Sequence, residues 1–193
     1  MNAPNKLTLA RIIVTPIFMA TMLIKFPGHY IVSLVIFIAA SLTDLIDGKM
    51  ARKYHLVTDF GKFLDPLADK MLTTAAYLGF IDMLGENYRW QIIVIVFIVL
   101  FREFLVSSLR LTVVSSGGGV IAANIWGKSK TVSQMAGIIV SLLAYCVIDL
   151  FSIENTLIMD AAVLTLLWIS AVLCVISGAI YLRDSKNCIN TSK

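Results

Sequence analysis

The decisive stretch reads Asp44-Leu45-Ile46-Asp47-Gly48-Lys49-Met50-Ala51-Arg52, skips eight residues, and resumes as Gly61-Lys62-Phe63-Leu64-Asp65-Pro66-Leu67-Ala68-Asp69. It sets four carboxylates at helical spacings inside a chain that is otherwise too apolar for water. Of the 193 residues, 59% are apolar and only 15% charged, and the mean hydropathy is +0.88. Such a chain has too little polar surface to cover a soluble globule, so a bilayer is its natural solvent. A carboxylate inside a membrane span costs several kcal/mol unless it is paired, which makes intramembrane acids candidates for function.

Working outward, stretches near the length of about 20 apolar residues that crosses hydrocarbon fall at about 8–25, 30–50, 62–84, 91–113, 129–150 and 157–182. The expected fold is an all-α integral membrane protein of six transmembrane helices with a short N-terminal interfacial segment, forming one domain over 1–193. One set of connections carries Lys6, Arg11, Lys49, Arg52, Lys53, Lys62, Arg110, Lys128, Lys130, Arg183, Lys186 and Lys193, whereas the other carries little beyond Lys25 and Arg89. The excess of Lys and Arg on one side puts both termini in the cytoplasm, with Tyr30, Tyr88 and Trp90 near the outer ends. Lys6 and Arg11 ahead of an apolar run imitate a signal peptide, but no small-residue cleavage site follows, so a retained first helix is expected.

The same patterning excludes other classes. A net charge of +4 and a pI near 9.0 would suit a nucleic-acid binder, yet the basic residues flank apolar runs and no basic groove with interleaved aromatics is visible. No nucleic-acid partner is expected. Cys146, Cys174 and Cys188 have no metal-type spacing and read as reduced, structural thiols. Gly117-Gly118-Gly119 lacks the strand and Lys-Ser/Thr of a phosphate loop and reads as a flexible loop. His29 and His55 fall in loops and are expected to be solvated.

On a helix, Asp44 and Asp47 lie about 60° apart and Asp65 and Asp69 about 40° apart, so each pair shares a face. The short connection between the two helices suggests antiparallel neighbours with facing acids. Four carboxylates at that range cannot all stay ionised without compensation. Bound cations would provide it, and hard oxygen ligands suit Mg²⁺, Mn²⁺ or Ca²⁺; without nearby Cys or a His pair, zinc is disfavoured. A metal pair about 3.5–4 Å apart clamps the attacking and leaving oxygens of a phosphoryl group. The alternative is a structural ion network with Lys49, Arg52, Lys62 and Lys70. Pro66 disfavours helix at Asp65, so the third helix either begins near Pro66 or kinks there, unless Thr58 or Asp59 caps an earlier start.

At every fixed position this segment resembles the signature of the CDP-alcohol phosphotransferase family. Pro4-Asn5-Lys6-Leu7-Thr8 with Arg11, and Trp126-Gly127-Lys128-Ser129-Lys130-Thr131 with Gln134, extend the resemblance over nearly the whole chain. Within the family it is to the bacterial members that use glycerol 3-phosphate. The resemblance implies a six-helix fold, a homodimer, and transfer of a phosphatidyl group from CDP-diacylglycerol to glycerol 3-phosphate with release of CMP. It implies membrane lipids as surroundings, a bacterial cytoplasmic (inner) membrane location, and a site open toward the cytoplasm. By the same analogy two divalent cations, Mg²⁺ or Mn²⁺, are held by Asp44, Asp47, Asp65 and Asp69, with Asp69 also the general base. Asn5, Thr8, Gly48, Arg52 and Thr58 would contact the CDP portion.

The residue chemistry accords with this. Gly48 lets a nucleotide approach the helix backbone, and Arg52 offers a planar fork for phosphate oxygens. Gly61 is either a nucleotide contact or a helix-packing glycine. Asn5, Thr8 and Arg11 recur every three residues on one face, which interfacial anchoring would also explain. A phosphorylated acceptor needs its own cationic pocket, and Arg110, Lys128, Lys130 and Arg183, if they converge, would bind its phosphate; ordinary flanking charge is the other reading. Arg102, deep in the fourth span, needs a partner, expected to be an acid from another helix. Two competitors stand: a sibling enzyme using inositol phosphate, serine or phosphatidylglycerol as acceptor, and a small cation transporter with carboxylates along its ion path.

Overall fold

A computed structural model describes the backbone of residues 2–53, 59–115 and 125–185, and their side chains except at positions 3, 4, 45–53, 59, 60, 62, 63, 65, 66, 114 and 115. The described residues form six α-helices and no strand: α1 Ala3–Leu23, α2 His29–Lys53, α3 Asp59–Met83, α4 Arg89–Ser115, α5 Ile125–Phe151 and α6 Leu157–Ser185. Each covers one of the apolar stretches expected from sequence to within two residues and extends beyond at least one of its ends. α3 runs unbroken from Asp59, so the helix neither starts at Pro66 nor stops there. Gly28 and Gly85, with φ of 75° and 71°, turn the chain before α2 and after α3 in a conformation that side chains other than glycine's seldom adopt.

Four helical stretches are long and apolar enough to cross a membrane: Asn5–Leu23, Arg89–Val113, Ile125–Phe151 and Leu157–Ser185. The apolar part of α2, His29–Asp44, is shorter, and α3 carries the polar signature instead. The exterior is rich in large apolar groups such as Ile13, Ile17, Phe97, Phe101, Phe104 and Val175. That surface suits hydrocarbon, and the chain is a multi-pass, all-α membrane protein.

The first helix organises the bundle. Asn5, Thr8, Arg11, Thr15, Phe18 and Met22 recur every three or four residues and all are buried, the spacing of one helix face. This face lies against both α2 and α3, which touch each other only slightly among the described residues. The expected side-by-side pairing of α2 and α3 is thus replaced by a wedge. The expected interfacial N-terminal segment is likewise the buried start of a continuous helix: Thr8 and Arg11 are 1% and 2% exposed. Arg11 reaches Asp44 while Met22 meets Gly79, so α1 runs antiparallel to α2 and parallel to α3.

Helices in lipid gain little from hydrophobic burial and are held by close packing and interhelical hydrogen bonds. Gly137 faces Ser170 and Gly178 faces Arg102 at the α5–α6 and α4–α6 crossings, and Ser133 and Ser170 hydroxyls lie 3.1 Å apart. His29 is not solvated as expected from its loop position. It is buried, with Nδ1 3.2 Å from the Thr21 carbonyl oxygen and its ring against Tyr30. Thr21 lies in the last turn of α1, where carbonyls lack an intrahelical donor, and His29 meets that need.

A Cβ on Gly79 would lie 2.5 Å from Met22 Cε and 3.1 Å from Met22 Cβ. Gly79→Leu is therefore expected to lower stability by about 1–3 kcal/mol through overpacking, with part of the loss recovered when Met22→Ala is added. Denaturation of the purified variants in detergent checks this; equal stability of Gly79→Leu and wild type contradicts the close α1–α3 approach.

Candidate active site

The signature residues occupy one end of the bundle because α2 ends, and α3 begins, at the same side. Asp44 sits on α2, where Arg11 Nη1 donates to its Oδ1 at 2.5 Å. The same guanidinium donates through Nε to the carbonyl of Ala40 at 3.2 Å. Ala40 and Asp44 are one turn apart, so a single buried fork grips consecutive turns of α2 and fixes the carboxylate. Asp69 sits on α3, and Lys70 Nζ donates to its Oδ2 at 2.9 Å. Both carboxyl groups stay about two-fifths exposed, at 43% and 38%. They open onto one cavity of about 320 Å³, which Glu103 and Ser107 of α4 also line.

A second cavity, of about 540 Å³, adjoins it. Its own lining includes Lys128, Lys130 and Thr131 of α5 with Ser177 and Tyr181 of α6. The two share Lys70, Arg102, Val106 and Arg110 as lining residues. Among the described residues the larger chamber is lined by ammonium and guanidinium groups and no carboxylate, whereas the smaller sets the carboxylates of Asp44, Asp69 and Glu103 beside the three shared cations. Such an arrangement can hold hard cations on one side and an anionic ligand on the other.

Asp47, Gly48, Arg52 and Asp65 lie on the helical backbone of α2 and α3, but their side chains fall outside the described residues, as does the whole of Thr58. Among the described residues no group of three or more His, Cys, Asp or Glu converges. The described pair, Asp44 and Asp69, offers oxygen donors from two helices to a single cavity, a donor chemistry that fits a hard divalent cation. Asn5 and Thr8 of α1 and Gly61 of α3 are buried.

A profile of the CDP-alcohol phosphatidyltransferase family matches residues 1–181. The chain belongs to that family. It is a transferase of phospholipid synthesis, and the resemblance read from the aspartate signature is sustained over nearly its full length. Among its relatives is the CDP-diacylglycerol–glycerol-3-phosphate 3-phosphatidyltransferase of Bacillus subtilis (strain 168), 40% identical over 203 aligned positions that span 99% of this chain and 98% of the relative. Proteins of the same name from Rickettsia bellii (strain RML369-C) and Haemophilus influenzae (strain ATCC 51907 / DSM 11121 / KW20 / Rd) are 36% and 33% identical. Each alignment spans 96% of this chain and, respectively, 96% and 94% of the relative.

Against this family background, Arg110, Lys128 and Lys130 do converge on the basic cavity, whereas Arg183 does not line it. Tyr181 faces the cavity, and a residue two positions further along a helix is rotated by about 200°; Arg183 is exposed on the far side. Arg102 departs from expectation as well. Its acid is the adjacent Glu103 of the same helix, at 3.3 Å, and the group it finds on another helix is the Ser177 hydroxyl, at 2.8 Å. Sequence reading overlooked Lys70, Ser177 and Tyr181 as lining residues. The adjacency of Lys70 to Asp69, and the polarity of Arg102-Glu103 within an apolar run, were the available signals.

Arg11→Met removes the fork that spans Ala40 and Asp44. Because Arg11 is buried while Asp44 is partly hydrated, a loss of about 2 kcal/mol is expected, together with a fall in transferase activity of more than tenfold. Detergent denaturation and CMP release measure the two. Wild-type values for both would remove Arg11 from any role in holding Asp44.

Proposed function

We propose that this protein transfers the phosphatidyl group of CDP-diacylglycerol to glycerol 3-phosphate, yielding phosphatidylglycerophosphate and CMP. The observation that carries the reading is the pair of adjoining cavities, one purely basic among the described residues and one that holds the carboxylates of Asp44, Asp69 and Glu103, with Asp69 next to the shared lining residue Lys70. The names of the relatives from Bacillus, Rickettsia and Haemophilus support the same donor and acceptor.

In this reading Asp44, Asp47, Asp65 and Asp69 hold two divalent cations, Mg²⁺ or Mn²⁺. Bound there, the cations supply charge neutralisation at the phosphoryl oxygens. The acceptor hydroxyl attacks the phosphorus nearest the diacylglycerol, the bond from that phosphorus to CMP breaks, and Asp69 accepts the hydroxyl proton. Lys70 restrains Asp69 through Oδ2, and Oδ1 has no hydrogen bond among the described residues, so this oxygen is the one offered to the acceptor. Arg110, Lys128 and Lys130 receive the acceptor phosphate. Asn5, Thr8, Gly48, Arg52, Thr58 and Gly61 surround the nucleotide.

The lipid donor is anchored while nucleotide and acceptor are aqueous, so the chemistry belongs at the membrane surface. All six helices cross the bilayer in this reading, α2 and α3 with their charged ends at the cytoplasmic boundary. Both termini and the site then face the cytoplasm of a bacterial cell, and the enzyme works as a homodimer. Length permits this: a helix of 25 residues, as in α2 and α3, extends about 37 Å, more than the hydrocarbon thickness of about 30 Å.

Two outcomes are expected from the purified protein. CMP release should require both glycerol 3-phosphate and Mg²⁺ or Mn²⁺ and should stop on chelation; release with serine or inositol phosphate but not glycerol 3-phosphate rejects the acceptor assignment. Asp69→Asn should reduce turnover by at least a thousandfold while CDP-diacylglycerol still binds, whereas wild-type turnover in that variant rejects Asp69 as the base.

A further inference from the structure

One buried acid has no part in the reaction as proposed. Glu103 lies midway along the apolar α4, its side chain only 10% exposed. Its two oxygens face cations from different helices. Oε2 accepts from Lys70 Nζ of α3 at 2.7 Å, and Oε1 accepts from Lys130 Nζ of α5 and, at 3.3 Å, from Arg102 Nη1. Lys70 in turn reaches Asp69. The carboxylate therefore joins Lys130 to Asp69 through Lys70.

A carboxylate so placed has two effects. Without it, Lys70, Arg102 and Lys130 would crowd one another at the edge of an apolar span, where unpaired cations are costly. With it, they keep an excess of positive charge suited to the charge of about −2 on a phosphate monoester. Geometry allows both tasks at once. An ammonium group has three N–H donors, and Lys130 uses one on Glu103 while lining the basic cavity. Glu103 lines the acidic cavity but not the basic one, so it holds the cations from behind rather than competing for the ligand.

We infer that Glu103 is a positioning residue for the acceptor: it holds Lys70 and Lys130, from two helices, at the edge of the cavity that receives a dianionic phosphate monoester. The inference rests on glycerol 3-phosphate being the acceptor. Full-length wild type, Glu103→Gln, Glu103→Asp, Lys130→Met and the double variant Glu103→Gln/Lys130→Met are compared by CMP release in lipid nanodiscs with both substrates varied. Glu103→Gln should raise KM for glycerol 3-phosphate at least tenfold, lower kcat by much less, and leave KM for CDP-diacylglycerol within twofold. Glu103→Asp should recover part of the KM. In the Lys130→Met background the Glu103 substitution should add clearly less than it does alone, because of the two lysines it holds only Lys70 remains.

A fall in kcat at unchanged acceptor KM, or equal effects of Glu103→Gln with and without Lys130, overturns the inference. If Glu103→Gln does not fold, the Glu103→Asp and double variants decide: wild-type acceptor KM in Glu103→Asp, or a double variant worse than Lys130→Met by tenfold, overturns it equally. Wild type that releases CMP only with another alcohol overturns the acceptor assignment instead, so the two failures are distinguishable.

Discussion

A charge placed inside an apolar bundle must meet its opposite, and here it does so mostly across helices. Arg11 of α1 meets Asp44 of α2, and Glu103 of α4 meets Lys70 of α3 and Lys130 of α5. An ion pair between helices also sets their relative height, because sliding either helix by a turn of about 5.4 Å separates the partners. The same contacts that neutralise charge thus define where the two cavities lie. The opposite end of the bundle is held differently, by Asp160 accepting from Tyr145 and Thr156 and by the exposed contact of Arg89 with Glu86.

This concentration of charge at one end gives the molecule its chemical direction. A basic chamber adjoins one in which carboxylates and cations stand side by side, so groups of opposite charge can be received close together without sharing one pocket. Lys70 belongs to both, touching Asp69 and Glu103. Arg102 shows how such a group is tolerated deep in an apolar helix: an adjacent carboxylate, a serine hydroxyl and a glycine at position 178 leave room for its stem.

Much of this was legible in the amino-acid sequence, for identifiable reasons. Helix number and approximate extents follow from uninterrupted apolar runs, and two of the acids that the spacing singled out, Asp44 and Asp69, open onto one cavity. What pattern could not reveal is which helices touch. The face of Asn5, Thr8 and Arg11 was visible as a face, but whether it met water, lipid or protein depends on α1 standing between α2 and α3. Arg102 was visible as an anomaly, but the part of its neighbour Glu103 needs α3, α4 and α5 in one place. Arg183 was misjudged because belonging to the same end of the bundle does not entail the same side of a helix, and His29 because a loop position does not reveal an orphaned carbonyl nearby.

The wedge position of α1 carries a consequence for biogenesis. The segment that separates α2 from α3 also leaves the ribosome before either of them. When Asp44 emerges, the guanidinium that pairs with it in the folded protein has already been made. Order of synthesis thus lets Asp44 enter the bundle with its partner at hand.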